Sequence, residues 1–355
     1  MRRSMWCLTA VAVIALLLAS GVAFATGQKE PAKAGGAIRI GLSFGTLQQE
    51  RWTKERGMME KWAAERGGIE LLVQAADSDA TKQAAQCENL LSQGVDVLIV
   101  VPQDAEAAAV IVQKAHEVKV PVIAYDRMIN NSDVDVYVSF DSVKVGELMV
   151  QYVAKKFPKG NWVILKGGPT DNNAHLVYEG NMKALKPYID RGDIKVVADQ
   201  WCENWSPEQA LKHTENALTA NNNNIQAVIT GWDGLAGAVV QALAAQGLAG
   251  KVGVSGQDAE LSACQRIVEG TQTMTVYKPL RLLAAAGMET AVALAKGEKP
   301  KISGYVNNKK KDVPSVLPPI YPVDASNMVE AVIKDGFLPL EEVYRNLPKD
   351  KWPKM

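Results

Sequence analysis

Seven short stretches of this 355-residue chain put carboxylates, amides, guanidinium groups and indoles directly after apolar runs. In order they are Glu50-Arg51-Trp52, Tyr125-Asp126-Arg127, the glycine-led run 167–173 (GGPTDNN) and the run 200–205 (QWCENW). Gly231-Trp232-Asp233, Gly256-Gln257-Asp258 and Tyr277-Lys278 complete the set. Asp, Asn and Arg are planar groups that can each hold two neighbouring hydroxyls. A flat indole lies against apolar C–H surface and keeps water from it. Glycines beside them let the backbone turn tightly and approach a ligand. The mixture suits a neutral molecule rich in hydroxyls but apolar on its faces, as a sugar is.

Taken singly, each position has a plainer reading. An Asp or Asn after a strand is often a helix N-cap that satisfies orphan amides. Trp52 and Trp205 could be ordinary core aromatics, and Arg127 an interface ion pair. Seven such ends facing one crevice argue for a binding cleft more strongly than any one of them does. Other chemistries find less support. Gly167-Gly168-Pro169 lacks both the lysine of a phosphate loop and G-x-G-x-x-G spacing. His116, His175 and His213 lack metal-ligand spacing, and of the three only His175 falls near the cleft. Neither a metal nor a cofactor is expected. Residues 221–224 (NNNN) read as a helix stop. Lys309-Lys310-Lys311 reads as a solvated loop, with a transporter contact as the alternative.

The elements that must position these groups follow from the rhythm of the chain. Apolar, β-branched runs occur at 38–43, 70–75, 95–101, 120–125, 134–140, 162–165, 194–198, 227–230, 252–255 and 273–277. Near-continuous apolar character is what a strand covered on both faces requires. Helix-length segments lie between them, among them 49–66, 80–93, 105–117, 144–156 and 207–220. That alternation predicts βαβ units and parallel sheets. It occurs in two blocks that divide at Asp141, so two doubly wound lobes are expected. Ligands of such sheets sit beyond the carboxyl ends of the strands, where the seven polar stretches fall.

The amino terminus reads as an export signal. Arg2 and Arg3 precede an uncharged apolar stretch at 8–18, and Ala23-Phe24-Ala25 supplies a small–x–small cleavage pattern. Cleavage is expected near Ala25, giving a periplasmic chain with a flexible leader at 26–36. An uncleaved anchor is the alternative, since about 20 apolar residues span a bilayer. Cys7 stands before the apolar stretch, where a lipoprotein signal has no use for it. The 39 basic residues balance 39 acidic ones, which disfavours nucleic acid or an anionic membrane surface as partner. Beyond Cys7 the cysteines are Cys87, Cys202 and Cys264, an odd and widely spaced set that reads as three buried thiols, with one bridge as the alternative.

At these residues the chain resembles the ribose/galactose-type family of bacterial periplasmic sugar-binding proteins of ABC transporters, and within it the D-xylose-binding branch. The resemblance runs from about Ile38 to Phe337. It is carried by ERW at 50–52, AYDRMIN at 124–130, SFDSVKVGEL at 139–148, DNNA at 171–174 and DQW at 199–201. ENALTANNN at 215–223, SGQDA at 255–259 and GTQTMTVYKP at 270–279 extend it. It implies a type I periplasmic binding protein fold whose chain crosses a hinge three times, near 141–144, 277–279 and 311–314. The amino lobe would be 37–143 plus 279–314, the carboxyl lobe 144–278 plus 315–345, and 346–355 a tail.

The implied sugar contacts are Arg51, Asp126 and Arg127 from one lobe and Asn173, Trp205 and Asp258 from the other, with Lys278 at the hinge. Trp52 and Trp205 would supply the stacking walls. One position departs from the family: where it has Asn before Asp at the end of strand 227–230, this chain has Trp232 before Asp233. Trp232 then either points elsewhere or reshapes the pocket. The expected activity is capture of a monosaccharide, D-xylose foremost, by a monomer that closes on it and hands it to an ABC transporter permease. Glucose, arabinose, ribose or galactose are the alternative ligands, and a sensory receptor the alternative partner. An enzyme would need a nucleophile–base set that the sequence lacks. A sugar-responsive repressor would need a DNA-binding helix pair where the export signal stands.

Overall fold

The computed structural model describes residues 36–354; the expected export signal (1–25) and all of the leader (26–36) except Gly36 lie outside the described residues. The first block of the chain supplies β1 (Ile38–Phe44), β2 (Ile69–Ala75), β3 (Val97–Val101), β4 (Val122–Tyr125) and β5 (Val136–Val138). These pair in parallel in the order β2-β1-β3-β4-β5. Helices α1 (Glu50–Arg66), α2 (Ala80–Ser92) and α3 (Ala109–Glu117) alternate with the strands. Residues of α1 cover one face, with Trp52 and Met59 against Ile40, Ile99 and Ile123. Residues of α2 and α3 cover the other, with Leu90, Ile111 and Val112 against Leu98, Val100 and Val122. Two covered faces are why the strands are apolar throughout. Each large aliphatic side chain buried in this way contributes about 1.5–3 kcal/mol.

The second block repeats the plan. Strands β6 (Gly160–Lys166), β7 (Ile194–Trp201), β8 (Ala227–Thr230) and β9 (Gly253–Val254) form a parallel sheet in the order β7-β6-β8-β9. It lies between α4 (Ser142–Lys156) with α5 (Asn172–Asp190) on one face and α6 (Pro207–Ala220) with α7 (Asp233–Ala245) on the other. In both sheets the strand order reverses beside the first strand, which opens a crevice at the carboxyl edge.

Three passages join the two halves. The chain leaves β5 and enters α4 on the second sheet. It returns after β10 (Thr275–Tyr277) into α9 (Leu280–Ala295), whose Leu283, Met288 and Ala291 pack on the first sheet; α8 (Leu261–Glu269) lies between β9 and β10. Then β11 (Gly304–Asn307) and β12 (Asp312–Val316) extend the first sheet, and β13 (Tyr321–Val323) pairs antiparallel with β10. The third passage therefore falls after Val316 and not at 311–314, because Ser315 and Val316 pair with Tyr137 and Val138 of β5. Among the described residues no helix is long and apolar enough to cross a membrane. Cys87, Cys202 and Cys264 are buried free thiols. Burial pushes Cys202 up to about 12 and Cys87 up to about 11.

Candidate functional site

The carboxyl edges of the two sheets face each other across a cavity of about 330 Å³, a volume that includes its open mouth. All nine residues singled out from sequence line it: Arg51, Trp52, Asp126 and Arg127 from the first sheet's side, Asn173, Trp205, Trp232 and Asp258 from the second's, and Lys278 after β10. Gln49, Ser142, Asp171 and Gln257 complete the lining. The charged members are three cations, Arg51, Arg127 and Lys278, and three carboxylates, Asp126, Asp171 and Asp258, so the lining is balanced.

Arg51 lies on the first turn of α1. Its guanidinium reaches Asp126 at 2.7 Å, Glu55 one turn along the helix at 2.7 Å and Asp258 across the cleft at 3.5 Å. Burial works against its charge, but Asp126, Glu55 and Asp258 outweigh it and hold the group firmly protonated. Burial likewise penalises the Asp126 carboxylate, yet Arg51, Lys278 and Arg127 together bring it below the usual range. Glu55 is fully buried behind Arg51 and also takes the hydroxyl of Tyr125. Burial raises its carboxyl despite Arg51. Lys278 reaches the same Asp258 oxygen, Oδ1, at 2.7 Å.

Arg127 is the interface ion pair that its position allowed: Nε meets Asp171 at 2.8 Å across the cleft. Gln49, just before α1, accepts from Trp52 Nε1 at 2.7 Å and from Arg127 Nη2 at 3.3 Å. Trp52 is therefore both a core aromatic, 1% exposed, and a wall of the cavity. Asn173 donates to the Asp126 carbonyl at 2.9 Å and to its carboxylate at 3.2 Å, and its amide oxygen lies 3.1 Å from the Tyr137 hydroxyl oxygen.

The capping reading holds for Asp171, whose side chain takes the Asn173 amide at the start of α5. It fails for Asp126 and Asp258. Neither begins a helix, and both have left-handed backbone, φ 60° and 94°. Trp205 shares that conformation at φ 59°. Such conformations cost about 1–3 kcal/mol each and persist where surrounding structure imposes them, often at functional sites.

The two second-sheet indoles rest on glycines. A Cβ at Gly167 would stand 2.2 Å from the Trp205 ring, and one at Gly234 would stand 2.2 Å from the Trp232 ring. Trp205 donates to Asp171 at 3.1 Å, and Trp232 donates to Glu260 at 2.9 Å. Trp232 is nonetheless among the residues that line the cavity. Asp233 next to it is buried beneath the cavity, bonded to Gln272 at 2.9 Å and Thr275 at 2.8 Å. Sequence reasoning missed Gln49, Ser142, Asp171 and Gln257 as lining residues; all but Ser142 sit in or beside the strand-end stretches.

The periplasmic binding protein domain model matches residues 40–299. This chain belongs to the periplasmic binding protein family. It is 49% identical to the D-xylose-binding periplasmic protein of Escherichia coli over 300 residues, 84% of this chain and 91% of that protein. With its counterpart in Haemophilus influenzae it shares 47% over 307 residues, 86% and 92% of the two chains. A solved carbohydrate transporter solute-binding protein from Chloroflexus aurantiacus, in complex with D-glucose, superposes with a TM-score of 0.79 at 31% identity, covering 86% of this chain and 98% of that one. The fold is that of type I periplasmic binding proteins.

Proposed function

We propose that this periplasmic binding protein captures a neutral monosaccharide, D-xylose foremost, between its two lobes and delivers it to an ABC transporter permease. The observation that carries the reading is the balanced lining: three cations and three carboxylates, with three indoles, around one cavity. A charged ligand would leave one sign uncompensated in a buried site, which is expensive. A neutral polyol can bond to every one of these groups and lay its C–H face on an indole. The names of the two relatives near half identity supply D-xylose.

In this reading Arg51, Asp126, Arg127, Asn173, Asp258 and Lys278 hold hydroxyls, and Trp52 and Trp205 form stacking walls. Each carboxylate of the lining stands beside a cation, Asp126 beside Arg51, Asp171 beside Arg127 and Asp258 beside Lys278. Carboxylates held in that way serve as acceptors, which favours binding over catalysis.

The lobes would be 37–143 with 279–316 and 144–278 with 317–345, moving about the three passages. Contacts across the cleft mouth, such as the Ala105 amide to the Thr170 carbonyl at 3.0 Å and Asn130 to Asn172 at 3.2 Å, belong to the shut arrangement. Sugar that bonds to both lobes binds the shut form better and shifts the population toward it. Export with cleavage near Ala25 and action as a monomer complete the reading.

A thermal-shift panel of xylose, glucose, arabinose, ribose and galactose tests it. Ligand at 100 times its Kd adds about 2.7 kcal/mol of stability. Xylose is expected to raise Tm most, by several degrees. A panel in which none of the five sugars raises Tm overturns the reading.

A further inference from the structure

Trp232 is held from two sides by residues that do not line the cavity. Gly234, two residues on, leaves the ring its space; a Cβ there would come within 2.2–2.7 Å of three ring carbons. Glu260, 28 residues away, takes the indole N–H at 2.9 Å, and its own amide donates to the buried Asp233 carboxylate at 3.1 Å. Asp233 is in turn fixed by Gln272 and Thr275. The half-buried indole thus stands on a chain of satisfied bonds that ends in the core of the second lobe. Its one donor is already used, so any part of the ring that meets a ligand in the cavity is apolar, fixed in place and unable to donate to a hydroxyl.

We infer that Trp232, seated on Gly234 and tethered to Glu260, is the size filter that sets this pocket to accept a pentose and reject the corresponding hexose. The inference rests on the sugar-binding reading above. D-Glucose is D-xylose with one added hydroxymethyl group, so the pair isolates the feature that a fixed wall would sense. An added methylene that must be accommodated typically shifts discrimination by about 10- to 200-fold. Its hydroxyl adds to the cost, because the wall leaves it no partner. Glu260 is here a positioning residue: it acts on the sugar through the indole.

Calorimetric titration with D-xylose and D-glucose tests this on wild type, Trp232→Ala, Gly234→Ala, Glu260→Leu and Glu260→Gln. Trp232→Ala removes the wall, and the ratio of glucose to xylose affinity is expected to rise about tenfold or more. Glu260→Leu frees the ring and should move the ratio in the same direction by less. Glu260→Gln keeps an acceptor for the indole N–H and should restore the ratio to within about twofold of wild type, which loss of a merely structural carboxylate would not do. Gly234→Ala keeps a helix-compatible backbone but unseats the ring, and should weaken xylose binding about fivefold or more through overpacking.

A ratio in Trp232→Ala within twofold of wild type overturns the inference. If that variant fails to fold, unchanged binding of both sugars by Gly234→Ala overturns it instead. Wild type binding neither sugar is a different result, since it defeats the sugar-binding reading itself.

Discussion

The two halves share one topology, a parallel sheet in the order second, first, third, fourth strand, yet they differ in what chiefly fixes their site residues. The first half uses charge. Arg51 is held by Glu55 and Asp126, and Arg127 by Gln49 and Asp171, so the groups that would meet hydroxyls are oriented by ion pairs and amides. The second half adds shape to charge, for Lys278 also pairs with Asp258 there. Trp205 and Trp232 lie on glycines whose missing side chains are the seats of the rings. A guanidinium can be aimed by opposite charges because it carries five donors in a rigid fork. An indole has one donor and a broad face, so it must be placed by packing. Similar folds can therefore be tuned at separate places: polarity in one lobe, pocket outline in the other.

The comparison predicts different failures when each device is removed. Glu55→Ala leaves Arg51 buried with one partner fewer, and breaking a buried pair in this way costs about 3–5 kcal/mol. Chemical denaturation should show that loss as a lower midpoint at unchanged slope. A variant as stable as wild type would mean that Asp126 and Asp258 suffice to hold Arg51. Gly167→Ala, by contrast, drives a methyl against the Trp205 ring and should cost about 1–3 kcal/mol through overpacking. Its clearer signature is weaker sugar affinity in titration calorimetry, because the stacking wall moves. Stability loss without affinity loss would remove Trp205 from the proposed contacts.

A pH dependence is expected mainly from the second half. Burial pushes the carboxyls of Asp233 and Glu260 up, to about 7 and about 8. Unfolded, such groups titrate near pH 4, so the folded chain holds these protons more tightly. Their contribution is full below about pH 4 and is lost as pH rises toward 8. Glu55 is also raised and acts in the same sense. The double variant Asp233→Asn, Glu260→Gln should therefore flatten part of the Tm decline between pH 5 and 8 and leave the Glu55 part. A decline identical to wild type would assign the whole dependence to the first half.

Much of this was legible in the chain. Near-continuous apolar runs announced buried parallel strands, and the polar residues after them marked the cavity edge, because strand ends in open α/β sheets converge on one crevice. All nine expected residues line it. What escaped was decided over long separations. The role of Glu55 depends on a helix turn that buries a carboxylate behind Arg51, and an exposed Glu at the same spacing would look identical. The third passage shifted because β12, a five-residue strand with Pro314 inside, pairs with β5 from far along the chain. The side chain of Trp232 is placed by Gly234 and by Glu260, whose position near it only the fold reveals.

The Asp126 carbonyl takes three donors: the Tyr137 hydroxyl at 2.8 Å and the Ser139 hydroxyl at 2.6 Å from its own lobe, and Asn173 at 2.9 Å from the other. The proposed swing of the halves would remove only the third, leaving this oxygen its two partners from its own lobe. On the proposed hinge motion, the seam would unzip without leaving a raw edge.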